Sequence, residues 1–115
     1  MFTISKETMA VFSAAKTETF VERMLVHIRK CFPVEYESLG ETATTDTIRY
    51  GIASASRYGI QGERDVCKYI DLMLVFGRDF DRNVPWASRI LTDRTMNPDI
   101  KVFLLYEHAL KPHQS

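Results

Sequence analysis

The sequence predicts an all-α fold, a single irregular or orthogonal bundle of five to six helices. Apolar residues recur at helical spacing in segment after segment, and each segment is bounded by capping residues, proline or glycine. No alternating run between turn signals supports a sheet; Val75-Phe76 and Val102-Phe103 carry strand-like side chains but fall within capped helical periods. At 115 residues the chain is one domain by length, able to bury roughly 65% of the surface its unfolded form exposes.

Taken in order, Ser5 caps a short first helix with Met9 and Phe12 on its inner side. Thr17 then reads as the N-cap of a longer helix ending near Phe32. Its apolar positions Phe20, Val21, Met24, Leu25, Ile28, Cys31 and Phe32 follow the i, i+3/i+4 rule. His27, Arg29 and Lys30 take the other side or the last turn, where cations suit the helix dipole, and Pro33 stops the helix. Residues 34–40 read as a polar connection. A third helix over residues 41–58 carries Ile48, Ile52 and Ala55 inward. Gly51, in its interior, costs roughly 1 kcal/mol against alanine and marks a place where a neighbouring helix must come close. Gly59 supplies the C′ residue, with Ile60 folding back as the hydrophobic partner of a Schellman-type cap.

The fourth helix starts at Gly62 or Glu63 and ends at Phe76, with Gly77 as its cap and Glu63 and Asp65 at the positive end of its dipole. Residues 78–83 read as a charged, solvated loop. Pro85 opens a short helix bearing Trp86, Ile90 and Leu91. Asn97-Pro98-Asp99 opens a last helix, whose apolar face is Ile100, Phe103, Leu104 and Leu110. The core spans roughly residues 5–110 of one domain, and residues 112–115 form a frayed tail.

Charge narrows the function classes. Lys plus Arg equals Asp plus Glu at 15 each, which argues against nucleic acid or an anionic membrane surface as the main partner, although a local basic patch is compatible with that balance. The N-terminus lacks the basic and apolar regions of a signal peptide. The apolar run from Ile70 to Phe76 is interrupted by Asp71 and is too short to span a bilayer. Cytoplasm is the expected compartment. Cys31 and Cys67 read as reduced, buried small hydrophobes.

No catalytic, cofactor or metal constellation emerges. His27, His108 and His113 do not pair with one another at i, i+4 and are not read as lying at a metal-ligand spacing from a cysteine or acid. Neither cysteine has the electropositive setting that activates a thiol, and no glycine pattern cradles phosphate. Asp79 and Asp81 alternate as calcium-loop residues do, but the turn glycine and terminal glutamate of such a loop are missing.

The central segment YIDLMLVF, residues 69–76, is apolar on nearly every side, so its helix is expected to be buried all round. Asp71 then needs a partner, and Lys68, Arg78, Arg49, Arg57 and Arg64 are the candidates. One reading makes this an internal ion pair or a carboxylate capping a neighbouring helix. The other makes one side of the helix a docking surface, with Tyr69, Leu72, Met73 and Phe76 as anchors, Asp71 fixing register, and Phe80 and Trp86 as further apolar contacts.

A longer string runs through this segment. Arg49-Tyr50-Gly51-Ile52, Arg57-Tyr58-Gly59-Ile60, Glu63-Arg64-Asp65-Val66-Cys67, Tyr69-Ile70-Asp71-Leu72-Met73, Phe76-Gly77-Arg78-Asp79-Phe80-Asp81 and Pro85-Trp86-Ala87 follow one another. With these motifs, residues 20–91 resemble small proteins encoded in type VI secretion effector clusters, near spike-tip PAAR proteins and effector adaptors. Gly62 departs from that pattern, where a Ser-like N-cap is expected; this affects capping rather than role. The resemblance implies a co-chaperone that assists an adaptor in loading an effector onto the secretion spike. The expectation is therefore an accessory protein-binding domain, not an enzyme, without a cofactor, whose partner is an effector adaptor or the effector. The alternative is an immunity protein that blocks a cognate toxin, against which zero net charge weighs mildly. An apolar surface also leaves a homodimer open.

Overall fold

Among the described residues proline opens three helices, and a positive-φ glycine closes one of these and one other, so the punctuation of the sequence becomes the punctuation of the fold. The computed structural model describes residues 14–111, and the chain over them is all-α. The helices are α1 (Ala14–Cys31), α2 (Pro33–Arg57), α3 (Glu63–Phe76), α4 (Phe80–Asn83), α5 (Pro85–Leu91) and α6 (Pro98–Leu110), with no strand among the described residues. The first helix expected around Ser5, with Met9 and Phe12, and the tail at residues 112–115 lie outside the described residues.

α1 packs on α2, and α2 on α3. The chain then turns through α4 and α5 so that α6 returns against α5 and α3. Ser54 meets Tyr69 and Thr47 meets Arg78, so α2 and α3 run antiparallel. α3 sits at the centre, with Val66, Tyr69 and Ile70 all fully buried. Tyr69 keeps its hydroxyl satisfied there through Ser54 Oγ at 2.7 Å, while its ring lies 5.1 Å from that of Phe80.

The interior glycine of α2 marks a close helix approach. A Cβ at Gly51 would lie 2.5 Å from Ile70 Cγ1 and 3.0 Å from Met73 Sδ, so α3 occupies the space a side chain needs. The α2 terminus closes as a Schellman motif. Gly59, at φ +80°, donates to Ser56 O, and Ile60 donates to Ala55 O at 3.0 Å while its side chain enters the core.

Several expectations need correction. The chain is already helical at Ala14, so Thr17 lies inside α1 rather than capping it. Residues 34–40 are not a connection: Pro33 ends one helix and starts the next as its N1 residue. That first arm of α2 bends away at Gly40, whose φ of 81° and ψ of 168° break the helical path. The 78–83 segment folds as the short helix α4, burying Phe80 and Asp81. The last helix faces the other way round. Lys101, Val102 and Leu105 are buried, whereas Ile100, Phe103 and Leu110 stand in solvent. α6 is apolar on both faces, so periodicity alone does not orient it, and its contacts with α3 and α5 do. Nor is α3 buried all round, since Val75 is 61% exposed. Cys31 is exposed and Cys67 half-buried; both are free thiols. No helix among the described residues is long and apolar enough to cross a membrane.

Candidate functional site

The seven residues proposed from sequence as a docking face do not form one. Tyr69, Leu72, Met73 and Phe80 are core residues, each no more than 3% exposed, and three of them offer no surface to a partner. Met73 is the exception, because it reaches the floor of a groove described below. Phe76 and Trp86 are half-buried and pack edge to face at 5.5 Å, with His108 stacked on the indole at 5.0 Å. Asp71 lies elsewhere, on the side of α3 that looks toward α1 and α6.

Its partner is none of the basic residues named from sequence. His27 Nε2 of α1 lies 2.9 Å from Asp71 Oδ1 and 3.2 Å from Oδ2, and the Tyr106 hydroxyl of α6 donates to Oδ2 at 3.5 Å. The cations are engaged differently. Arg49 pairs with Glu18, Arg57 approaches Asp81, Arg78 lies over the Tyr50 ring, and Lys68 lies over the Tyr106 ring. The far side of the imidazole is also occupied, with Cys31 Sγ 3.8 Å from Nδ1. With Nε2–H donating to the carboxylate, Nδ1 is the acceptor and the Cys31 thiol is the donor.

Cys67 completes the group. A His27 nitrogen, the Cys67 Sγ and an Asp71 oxygen all lie within 4.8 Å of one another. Burial, and then the neighbouring Asp71 charge, pushes the Cys67 thiol up to about 11. Burial likewise raises the Asp71 carboxyl, opposed by its hydrogen bond to His27. The Tyr106 hydroxyl is driven up by burial and then by Asp71. Sequence reasoning missed this cluster, although its signal was present. His27-x3-Cys31 and Cys67-x3-Asp71 are two i, i+4 pairs, each stacking its members on one helix face.

Asp79 and Asp81 at the other end of α3 are held by tyrosines. The Tyr50 hydroxyl donates to Asp79, which also receives Arg82 at 2.8 Å. These bonds, Tyr50 first, hold the Asp79 carboxyl below its usual range. Tyr58 donates to Asp81 Oδ2 at 2.6 Å, and its own hydroxyl is pushed up to about 12 by burial and then by that bond. Tyr50, on α2, and Tyr58, its C-cap, are eight residues apart, about two turns, and both reach the start of α4.

Two surface features lie away from this cluster. An open groove of about 510 Å³ separates the first arm of α2 from the end of α3; Val34, Leu39, Met73 and Leu74 line it, with Glu35 and Arg78 also on its walls. Elsewhere Arg57, Arg94 and Lys101 gather around a second hollow, but Arg57 faces Asp81 at 3.9 Å and Lys101 Nζ donates to Leu91 O at 2.8 Å. That basic cluster is therefore largely satisfied internally.

Compared with protein-family models, curated proteins and solved structures, the chain finds no match in any of the three.

Proposed function

We propose that this domain works by holding another protein, with the groove between the first arm of α2 and the end of α3 as its seat. The observation that carries this reading is the groove's apolar lining in an open position. Val34 is 75% and Leu39 41% exposed, and Met73 and Leu74 continue the apolar surface inward. One acid, Glu35, and one base, Arg78, flank it. That mixture suits an apolar-faced helix with charges of both signs along its edges, and it suits a polyphosphate backbone poorly.

The finer reading rests on the resemblance of residues 20–91, a stretch that contains every residue lining this groove. On that reading the occupant is a helix of an effector adaptor, and the domain is a co-chaperone in type VI effector loading. The test is co-purification of a type VI effector adaptor with wild type, a Val34→Glu/Leu39→Glu variant, and Phe103→Glu on α6. The groove variant should reduce recovered partner at least about tenfold while melting within about 1 kcal/mol of wild type, because both side chains are exposed. Phe103→Glu should leave recovery unchanged. Equal loss in both variants, or none in the groove variant, removes the groove from the reading. Protection of cells expressing an isolated toxin would transfer the role to immunity.

A further inference from the structure

We infer that His27, Cys67 and Asp71 form a binding site for one divalent transition-metal ion of borderline softness, with zinc the best fit. A histidine–aspartate hydrogen bond needs no third group to explain it. What that bond does not require is the Cys67 thiol, which packs at the edge of the core and is brought within 4.8 Å of both partners. A tetrahedral zinc ion with these donors holds neighbouring ligand atoms about 3.3–3.6 Å apart, so rotamer adjustments of about 1 Å close the set. Imidazole, thiolate and carboxylate together match the intermediate softness of zinc; a magnesium or calcium site would be built from oxygens.

The surroundings are those of a ligand site. The two contributing helices are tied beside it by the Arg23–Glu63 ion pair. Tyr106 donates to Asp71 Oδ2 from α6, the kind of outer contact that orients a metal-binding carboxylate. A metal at Nε2 takes its lone pair, so the proton given to Asp71 moves to Nδ1, and Cys31 Sγ at 3.8 Å becomes its acceptor. A groove of about 300 Å³, bounded by Phe20, Met24, Arg64 and the two donors His27 and Cys67, gives solvent access to the cluster. Three protein donors leave a fourth position for water or for a group entering along that groove. Binding displaces the Cys67 thiol proton, so affinity falls as pH is lowered.

The test is a titration of the reduced full chain with Co²⁺ alone, followed by displacement with Zn²⁺. One equivalent should give visible d–d absorption of tetrahedral strength and a thiolate-to-cobalt charge-transfer band, both removed by zinc. Cys67→Ser should abolish the charge-transfer band, and His27→Ala and Asp71→Asn should each weaken binding at least about tenfold. Tyr106→Phe should weaken it about tenfold as an outer contact, and Cys31→Ser should keep the band. Asp71→Asn preserves shape, and circular dichroism of each variant checks folding. The proposal is overturned if wild type gives no charge-transfer band. It is equally overturned if the band survives Cys67→Ser and vanishes in Cys31→Ser, or if His27→Ala and Asp71→Asn bind as wild type.

Discussion

The middle of α3 and the short helix α4 that follows it each present an acid to their neighbours, and they use it differently. In α4, just past the end of α3, Asp81 is 1% exposed. It receives Tyr58 at 2.6 Å and faces Arg57 at 3.9 Å, while its Oδ1 has no hydrogen-bond partner among the described residues. Midway along α3 Asp71 keeps 17% of its side chain exposed and meets a histidine, a tyrosine and a cysteine. The first environment joins a carboxylate to a phenol and a guanidinium, and it ties α4 to the end of α2. The second gathers an imidazole, a thiol and a phenol around a carboxylate, donor types that suit a metal ion. Burial and the kind of partner, not acidity, separate a fastening from a candidate site.

The strongest challenge to this contrast is Asp81→Ala. It leaves the half-buried Tyr58 hydroxyl without its acceptor, and it should lower unfolding free energy by about 2 kcal/mol in a denaturant titration. A loss below about 1 kcal/mol would mean that α4 holds without the acid. Gly51→Ala comes next. Its Cβ would stand 2.5 Å from Ile70 Cγ1, so overpacking outweighs the gain in helix propensity, with a net loss of about 2 kcal/mol. Because it pushes α2 from α3, it should loosen the Tyr50–Asp79 and Tyr58–Asp81 bonds and leave His27–Asp71, which comes from α1, in place. Tyrosine and histidine side-chain resonances would report which pairs move.

The smallest effect is expected from Asp71→Asn, within about 1 kcal/mol of wild type at neutral pH. Its signature is in the pH dependence. Burial raises Asp71 above its ordinary value of 3.8, so between these values the folded chain holds a proton that the unfolded chain releases. Stability therefore falls as pH rises through that window, and the Asn variant should lose this slope. Asp79 has the opposite sign. Its carboxyl is held low, so its contribution is complete above 3.8 and is lost as pH falls through the lowered value. Melting curves across the acid range would separate the two.

Much of the architecture was legible locally. The bounds of α3, the N1 prolines of α5 and α6, the Schellman closure at Gly59 and the close approach at Gly51 all follow from residues acting on their own backbone or through the absence of a side chain. Two kinds of feature were not. The arm at residues 33–40 is only two turns long and mostly polar, too short for periodicity to stand out, and its proline has two meanings. The docking face was misjudged because a helix apolar on nearly every side does not say which side remains uncovered.

By itself, then, the sequence determined the helical class, the positions of most caps and turns, and a neutral chain with an acid at its apolar centre. Backbone preference and hydrophobic spacing act over one or two turns, and one chain contains them. Tertiary structure alone decided that Asp71 faces His27 rather than an arginine, that Asp81 is the buried acid, and that the last helix turns Phe103 outward. Those outcomes depend on which helix packs against which. A side chain 44 residues away is invisible to any local rule until the fold brings it to 2.9 Å.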